Sequence, residues 1–126
     1  MRSLAAIRLL ILDHDGTLTD NHVWVDQDGG EMCRYSRADG LGIERVKALG
    51  ITVIVLSGET NPVVAARCRK LKVECHQGLS ADGKLRAVRL IIAREVQTDA
   101  GVASYLQSAV AYCGNDRNDA ECLEVV

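Results

Sequence analysis

The 126-residue chain contains no phenylalanine, a single tryptophan, three tyrosines and a single proline. Aromatic residues amount to 3% while hydrophobic residues reach 48%, so the expected core is aliphatic, built from Val, Leu, Ile and Ala, which favours an α/β protein. There is no basic excess. Fifteen Lys and Arg stand against seventeen Asp and Glu, and a net charge of -2 offers no positive face to nucleic acid or to an anionic membrane. Nor does any apolar run approach the roughly 20 residues of a membrane span. The five cysteines, Cys33, Cys68, Cys75, Cys113 and Cys122, are odd in number and form no C-x-x-C pair, which argues against a disulfide framework and a zinc knuckle. They read as reduced thiols of a cytoplasmic protein. The start, "MRSLAAIRLLILD", has a basic residue before an apolar run but carries an arginine inside it and ends in acids, so it reads as a strand rather than a signal peptide. The length predicts one domain over residues 1–126.

What is present is an alternation of apolar runs and helical patterns. Residues 7–12 read as a buried strand, and "VWV" and "EMCRY" on either side of "DQDGG" read as a hairpin. Residues 40–49 have helical spacing that closes at Gly50. The strand "ITVIVLSG" precedes a helix in which Asn61 suits the N-cap and Pro62 the first helical position. "KVECH" then leads through "QGLSADG" into a helix over 84–96, and a last cycle pairs "SAVAYCG" with "DRNDAECLEV". "QTDAGVASYLQ" is ambiguous between loop and helix. This alternation predicts a parallel sheet covered on both faces.

Ligands of such sheets bind beyond the carboxyl ends of the strands. Strand one ends in Asp13 and Asp15, the next in Ser57, Gly58 and Glu59, and the last in Gly114, Asn115 and Asp116. Clustered carboxylates repel unless a cation lies among them, and all-oxygen donors suit Mg²⁺. A carboxylate so placed can attack phosphorus, and Asp13 is the candidate; Asp15 can protonate the leaving oxygen and then activate water. Lys84, Ser57 and Gly58 fit the remaining need for positive charge and donors around a phosphoryl group. Taken singly, each signal has an ordinary explanation. D-x-D-G is often an Asp-Gly turn, a lysine at a helix start is usually solvated, and "GNDRND" could simply cap the last helix. His14, His22 and His76 are not spaced as metal ligands and read as exposed or packed imidazoles.

The ordered set "DHDGTLTD", "VIVLSG", Lys84 and "GNDRND" resembles the four motifs of the haloacid dehalogenase-like (HAD) phosphatases. The hairpin region, with no room for a cap domain, is similar to the capless subgroup. That subgroup contains 3-deoxy-D-manno-octulosonate 8-phosphate phosphatases, phosphatases of nine-carbon sialic-type sugars and the C-terminal domain of some CMP-acylneuraminate synthetases. The resemblance implies a three-layer Rossmann-like fold with a central parallel sheet and a β-hairpin flap, and a homotetramer assembled through the hairpins. By the same resemblance Asp13 is nucleophile and Mg²⁺ ligand, Asp15 is acid/base and a ligand through its carbonyl, and Ser57 and Gly58 hold phosphate. Lys84 would pair with Asp13 and phosphate, Asp39 would lie near substrate, and Asn115 and Asp116 would complete the metal site.

Three departures accompany it. Asn115 stands where the family carries an Asp, "SADG" before Lys84 is one residue longer than usual, and the chain stops at Val126, where relatives continue into a further strand and a glycine-rich tail. Glu59 after Ser57-Gly58, with Lys70 eleven residues later, resembles the branch acting on 9-phosphates of 2-keto-3-deoxynononic or N-acylneuraminic acids rather than the octulosonate branch. The leading expectation is thus a Mg²⁺-dependent sugar-acid phosphatase. Its alternatives are octulosonate 8-phosphate hydrolysis, a non-catalytic assembly domain of the synthetase type, and a phospho-acceptor regulatory domain. The last is disfavoured because its acceptor lies on a later strand than its acidic pair.

Overall fold

The computed structural model describes residues 6–95 and 109–126; "QTDAGVASYLQ" and the far end of the helix expected over 84–96 lie outside them. In chain order the elements are β1 (Leu9–Asp13), β2 (Val23–Val25), β3 (Glu31–Cys33), α1 (Arg37–Ala48), β4 (Thr52–Leu56), α2 (Val63–Leu71) and β5 (Glu74–His76). They continue with α3 (Ala81–Glu95), β6 (Val110–Cys113), a 3-10 turn (Arg117–Asp119) and α4 (Ala120–Glu124). Strands β5, β4, β1 and β6 lie in that order in one parallel sheet.

Side chains alternate across a strand, and here both faces are apolar. Leu9, Ile11, Ile54 and Leu56 pack with Val88 and Ile91 of α3 and Cys122 of α4. On the other face Leu12, Val53 and Val55 pack with Ile43 of α1 and Val64, Cys68 and Leu71 of α2. The result is the predicted three-layer α/β arrangement. Among the described residues only the β2–β3 hairpin stands between β1 and α1, and no cap domain interrupts them. It pairs Val23 with Cys33, Trp24 with Met32 and Val25 with Glu31, and leaves Val23, Trp24, Val25 and Met32 exposed. No helix among the described residues is long and apolar enough to cross a membrane.

Local capping shifts the expected boundaries. α1 starts at Arg37 rather than Gly40 because the Ser36 hydroxyl accepts from the Ala38 N–H. The expected Asn61 cap and Pro62 start are displaced by one residue: Pro62 is itself the cap position and the helix runs from Val63, while Asn61 Oδ1 accepts from the Val63 N–H at 3.0 Å. α3 begins at Ala81, three residues earlier than expected. That change puts Lys84 inside the first turn of the helix, where it is completely buried rather than solvated.

Candidate active site

The carboxyl ends of β1, β4 and β6 border a polar cleft of about 370 Å³, lined in part by Asp13, Asp15, Gly58, Glu59, Asn115 and Asp116. Under it lies a charged triad. Lys84 Nζ donates to Asp13 Oδ1 at 2.6 Å and to Asp119 Oδ1 at 2.9 Å, and all three side chains are buried. Asp119 also accepts from Tyr112 OH at 2.6 Å and from the backbone N–H groups of Asn115 at 3.2 Å and Asp116 at 3.4 Å.

Two carboxylates facing one buried ammonium cannot be equivalent. Burial alone would raise the Asp119 carboxyl, but the donors from Tyr112 and Lys84 bring it below the usual carboxylate range. Asp13 is pushed up by burial, against the opposing bonds from Lys84 and the His14 N–H, with the Asp119 charge adding to the rise. Burial would lower Lys84, yet its bonds to Asp13 and Asp119 outweigh this and hold it protonated.

Two glycines make the geometry possible. At Gly16, with φ of 76°, a Cβ would fall 1.8 Å from Asn115 Nδ2, so the amide lies against bare backbone. At Gly114 a Cβ would meet the Asp119 carboxyl carbon at 2.5 Å. Any side chain at either position would displace an oxygen donor of the cleft or the triad.

The other expected residues are distributed unevenly. Ser57 is buried, its Oγ accepting from the Glu59 N–H at 3.0 Å, while Gly58 lines the cleft. Glu59 also lines it, with Oε1 turned back to accept from the Thr60 and Asn61 N–H groups. Lys70 borders a separate depression with Arg37, Glu44 and Arg67, and no ion pair joins it to Glu59. Asp39 lines another hollow, beside Thr17, Thr19, Arg34 and Tyr35. Asp116 caps the 3-10 turn, accepting from the Arg117 N–H at 2.6 Å, so the capping explanation of "GNDRND" holds for this residue.

Two residues carry more than the sequence reading assigns them. Asp119, the last acid of "GNDRND", is expected at most to reach the metal through a bound water, whereas it is the second counter-charge of Lys84. His14, expected to be merely exposed or packed, is fully buried and bridges Asp15 and Tyr35.

Among the described residues no three His, Cys, Asp or Glu side chains are gathered as a ready metal cage. The oxygen-bearing residues that line the cleft include Asp13, Asp15, Glu59, Asn115 and Asp116. This is a hard-oxygen set, and it fits Mg²⁺ better than a thiolate-seeking ion.

No family model matches the chain. Among solved structures, a Streptomyces avermitilis protein assigned to the HAD family of hydrolases superposes with a TM-score of 0.84 at 40% identity, over 96% of this chain and 64% of that one. Over nearly its whole length the chain is similar to hydrolases of the haloacid dehalogenase-like superfamily. Within it, a Moraxella catarrhalis 3-deoxy-D-manno-octulosonate 8-phosphate phosphatase, solved with magnesium, phosphate and its sugar, has a TM-score of 0.79 at 26% identity, over 96% of this chain and 64% of that one. The N-acylneuraminate cytidylyltransferase A of Danio rerio is 33% identical over 94% of this chain and 26% of its own length. The octulosonate 8-phosphate phosphatase of Salmonella typhi is 32% identical over 95% and 59%. The chain therefore spans about a quarter to three fifths of the curated relatives it matches.

Proposed function

We propose that the protein is a phosphatase of sugar-acid phosphates that works through a phosphorylated Asp13. The observation carrying this is the buried Lys84 bonded at 2.6 Å to the Asp13 carboxylate at the edge of a polar cleft. In the first step an Asp13 oxygen forms a bond to phosphorus, the bond to the sugar oxygen breaks, and Asp15 gives that oxygen a proton. In the second, Asp15 takes a proton from water as its oxygen bonds to phosphorus and the bond to Asp13 breaks. Lys84 stays protonated throughout and offsets charge building on the carboxylate and phosphoryl oxygens. Gly58 lets the phosphate approach backbone at the end of β4. Asp13, the Asp15 carbonyl, Asn115 and Asp116 are the donors that would hold Mg²⁺, which supplies positive charge to the phosphoryl oxygens. Phosphate release from a panel of sugar-acid phosphates, with and without Mg²⁺, tests the reading; no release from any of them would reject it.

The nine-carbon acids are the preferred substrates in this proposal, supported by Glu59 at the cleft; Lys70 and Asp39, which border other hollows, do not join Glu59 there. Glu59→Arg is expected to shift relative kcat/KM toward octulosonate 8-phosphate, and an equal response of both substrates would remove Glu59 from that role.

The hairpin supports a homotetramer. Trp24 is 71% exposed and Met32 68%, opposite one another on an element too small to bury them alone. Sedimentation should give about four times the 13.6 kDa chain mass, with Trp24→Glu shifting it to smaller species. The five unpaired cysteines are compatible with a cytoplasmic setting.

One observation favours a second reading, a non-catalytic assembly domain. Asn115 places a neutral amide where a carboxylate would bind a dication more strongly. The panel without turnover, together with a stable tetramer, would select it.

A further inference from the structure

The residue between the two motif aspartates is oriented from both sides. His14 Nδ1 lies 2.9 Å from Asp15 Oδ1, and Nε2 lies 2.8 Å from the Tyr35 hydroxyl. Asp15 Oδ1 accepts whether or not Oδ2 carries a proton, so the hydrogen of this contact is on Nδ1; in that tautomer Nε2 is the acceptor and Tyr35 O–H the donor. Tyr35 is equipped for that part, because burial pushes its phenol well above the usual range and keeps it protonated. Its ring is fixed in turn by the Arg67 guanidinium, 4.8 Å from the ring centre, whose Nη2 donates to the Ser36 carbonyl at 2.9 Å. A directed chain therefore runs from α2 through Tyr35 and His14 to one oxygen of Asp15.

We infer that His14 is a positioning residue for Asp15. Its Nδ1–H occupies Oδ1 and fixes the plane of the carboxyl group, leaving Oδ2 to carry the proton exchanged with the leaving oxygen and with water. The inference rests on the phosphatase reading above and deepens it. Asp15 lines the cleft and is 42% exposed, so without this bond its carboxyl would rotate freely at the cleft edge.

Leaving-group chemistry separates positioning from simple structural support. A sugar alkoxide must be protonated as it departs, whereas p-nitrophenolate leaves without help, and kcat/KM reports the steps through that departure. His14→Leu is expected to lower kcat/KM for an octulosonate or nononate phosphate by about 10- to 100-fold while p-nitrophenyl phosphate falls by no more than about threefold. His14→Asn, whose Nδ2 can replace the Nδ1–H donor, should recover most of the loss on the sugar phosphate. Tyr35→Phe, which removes only a hydroxyl, should show a smaller loss with the same leaving-group dependence, and it carries the test if His14→Leu does not fold. An equal fall on both substrates, or a His14→Asn protein no better than His14→Leu, would overturn the inference. A wild-type protein inactive on both substrates would reject the phosphatase reading, and the inference with it, before any variant is compared.

Discussion

Asp13 and Asp119 hold the same ammonium from opposite sides, yet one is saturated with donors and the other is not. Asp119 receives Lys84, Tyr112 and the backbone N–H groups of Asn115 and Asp116. Asp13 receives Lys84 and the His14 N–H, and it faces the cleft. A fully bonded carboxylate is stable and unreactive; one with spare lone pairs can form a bond to phosphorus. The difference teaches that the nucleophile is marked less by its charge than by the donors it lacks.

The largest test removes the unsaturated partner. Asp13→Asn should cut turnover by at least about a thousandfold while the protein stays folded, since Lys84 keeps Asp119 as its counter-charge. A folded variant with substantial turnover would erase the distinction between the two acids. The converse change should reverse the pattern. Asp119→Asn is expected to cost about 3–5 kcal/mol, read as a lowered denaturation midpoint, because it breaks a buried pair and takes the acceptor of Tyr112 with it.

The two acids should also impose opposite pH dependence on stability. Asp119 is held below its ordinary value of 3.8, so its stabilisation is present above that pH and is lost as pH falls through its folded value. Asp13 is raised above 3.8, so the folded protein keeps that proton longer than the unfolded chain, and ionising it costs stability as pH rises through the window above 3.8. Denaturation midpoints measured across the acid range should lose the first limb in Asp119→Asn and the second in Asp13→Asn. Identical profiles for both variants would contradict the asymmetry.

Two smaller changes sharpen it. Asn115→Asp adds a carboxylate beside Asp13 and should lower the Mg²⁺ concentration for half-maximal rate by about tenfold, measured by metal titration of turnover. Tyr112→Phe removes a single donor from Asp119 and should cost about 1–3 kcal/mol in denaturant unfolding, with little effect on turnover.

Much of this site is legible in the sequence. A short apolar run ending in Asp13 and Asp15, and later runs ending in Ser57-Gly58 and Gly114-Asn115, place the cleft before any coordinates are known, because parallel strands put their ends together. Lys84 is harder. As an isolated residue it reads as solvated, and only the start of α3 at Ala81 turns it inward. Asp119 is hidden because an acid near a helix start has an ordinary capping explanation, which it shares with Asp116 in a reciprocal capping box while also meeting Lys84. His14 is hidden for a different reason. Its partner Tyr35 lies 21 residues away, beyond the hairpin, and no local pattern reports a contact of that span.

The sheet order has a mechanical consequence. β1 is hydrogen-bonded on both flanks, to β4 and to β6, whereas among the described residues β6 has β1 as its one neighbour. The cleft therefore takes Asp13 from a strand paired on both flanks and Asn115 from the end of one paired, among the described residues, on a single flank. A substitution at Asn115 thus alters the grip on a ligand from one side and leaves the strand that holds the attacking oxygen untouched. Variation in affinity can then accumulate at the loop after β6 while the reactive geometry stays anchored in the middle of the sheet.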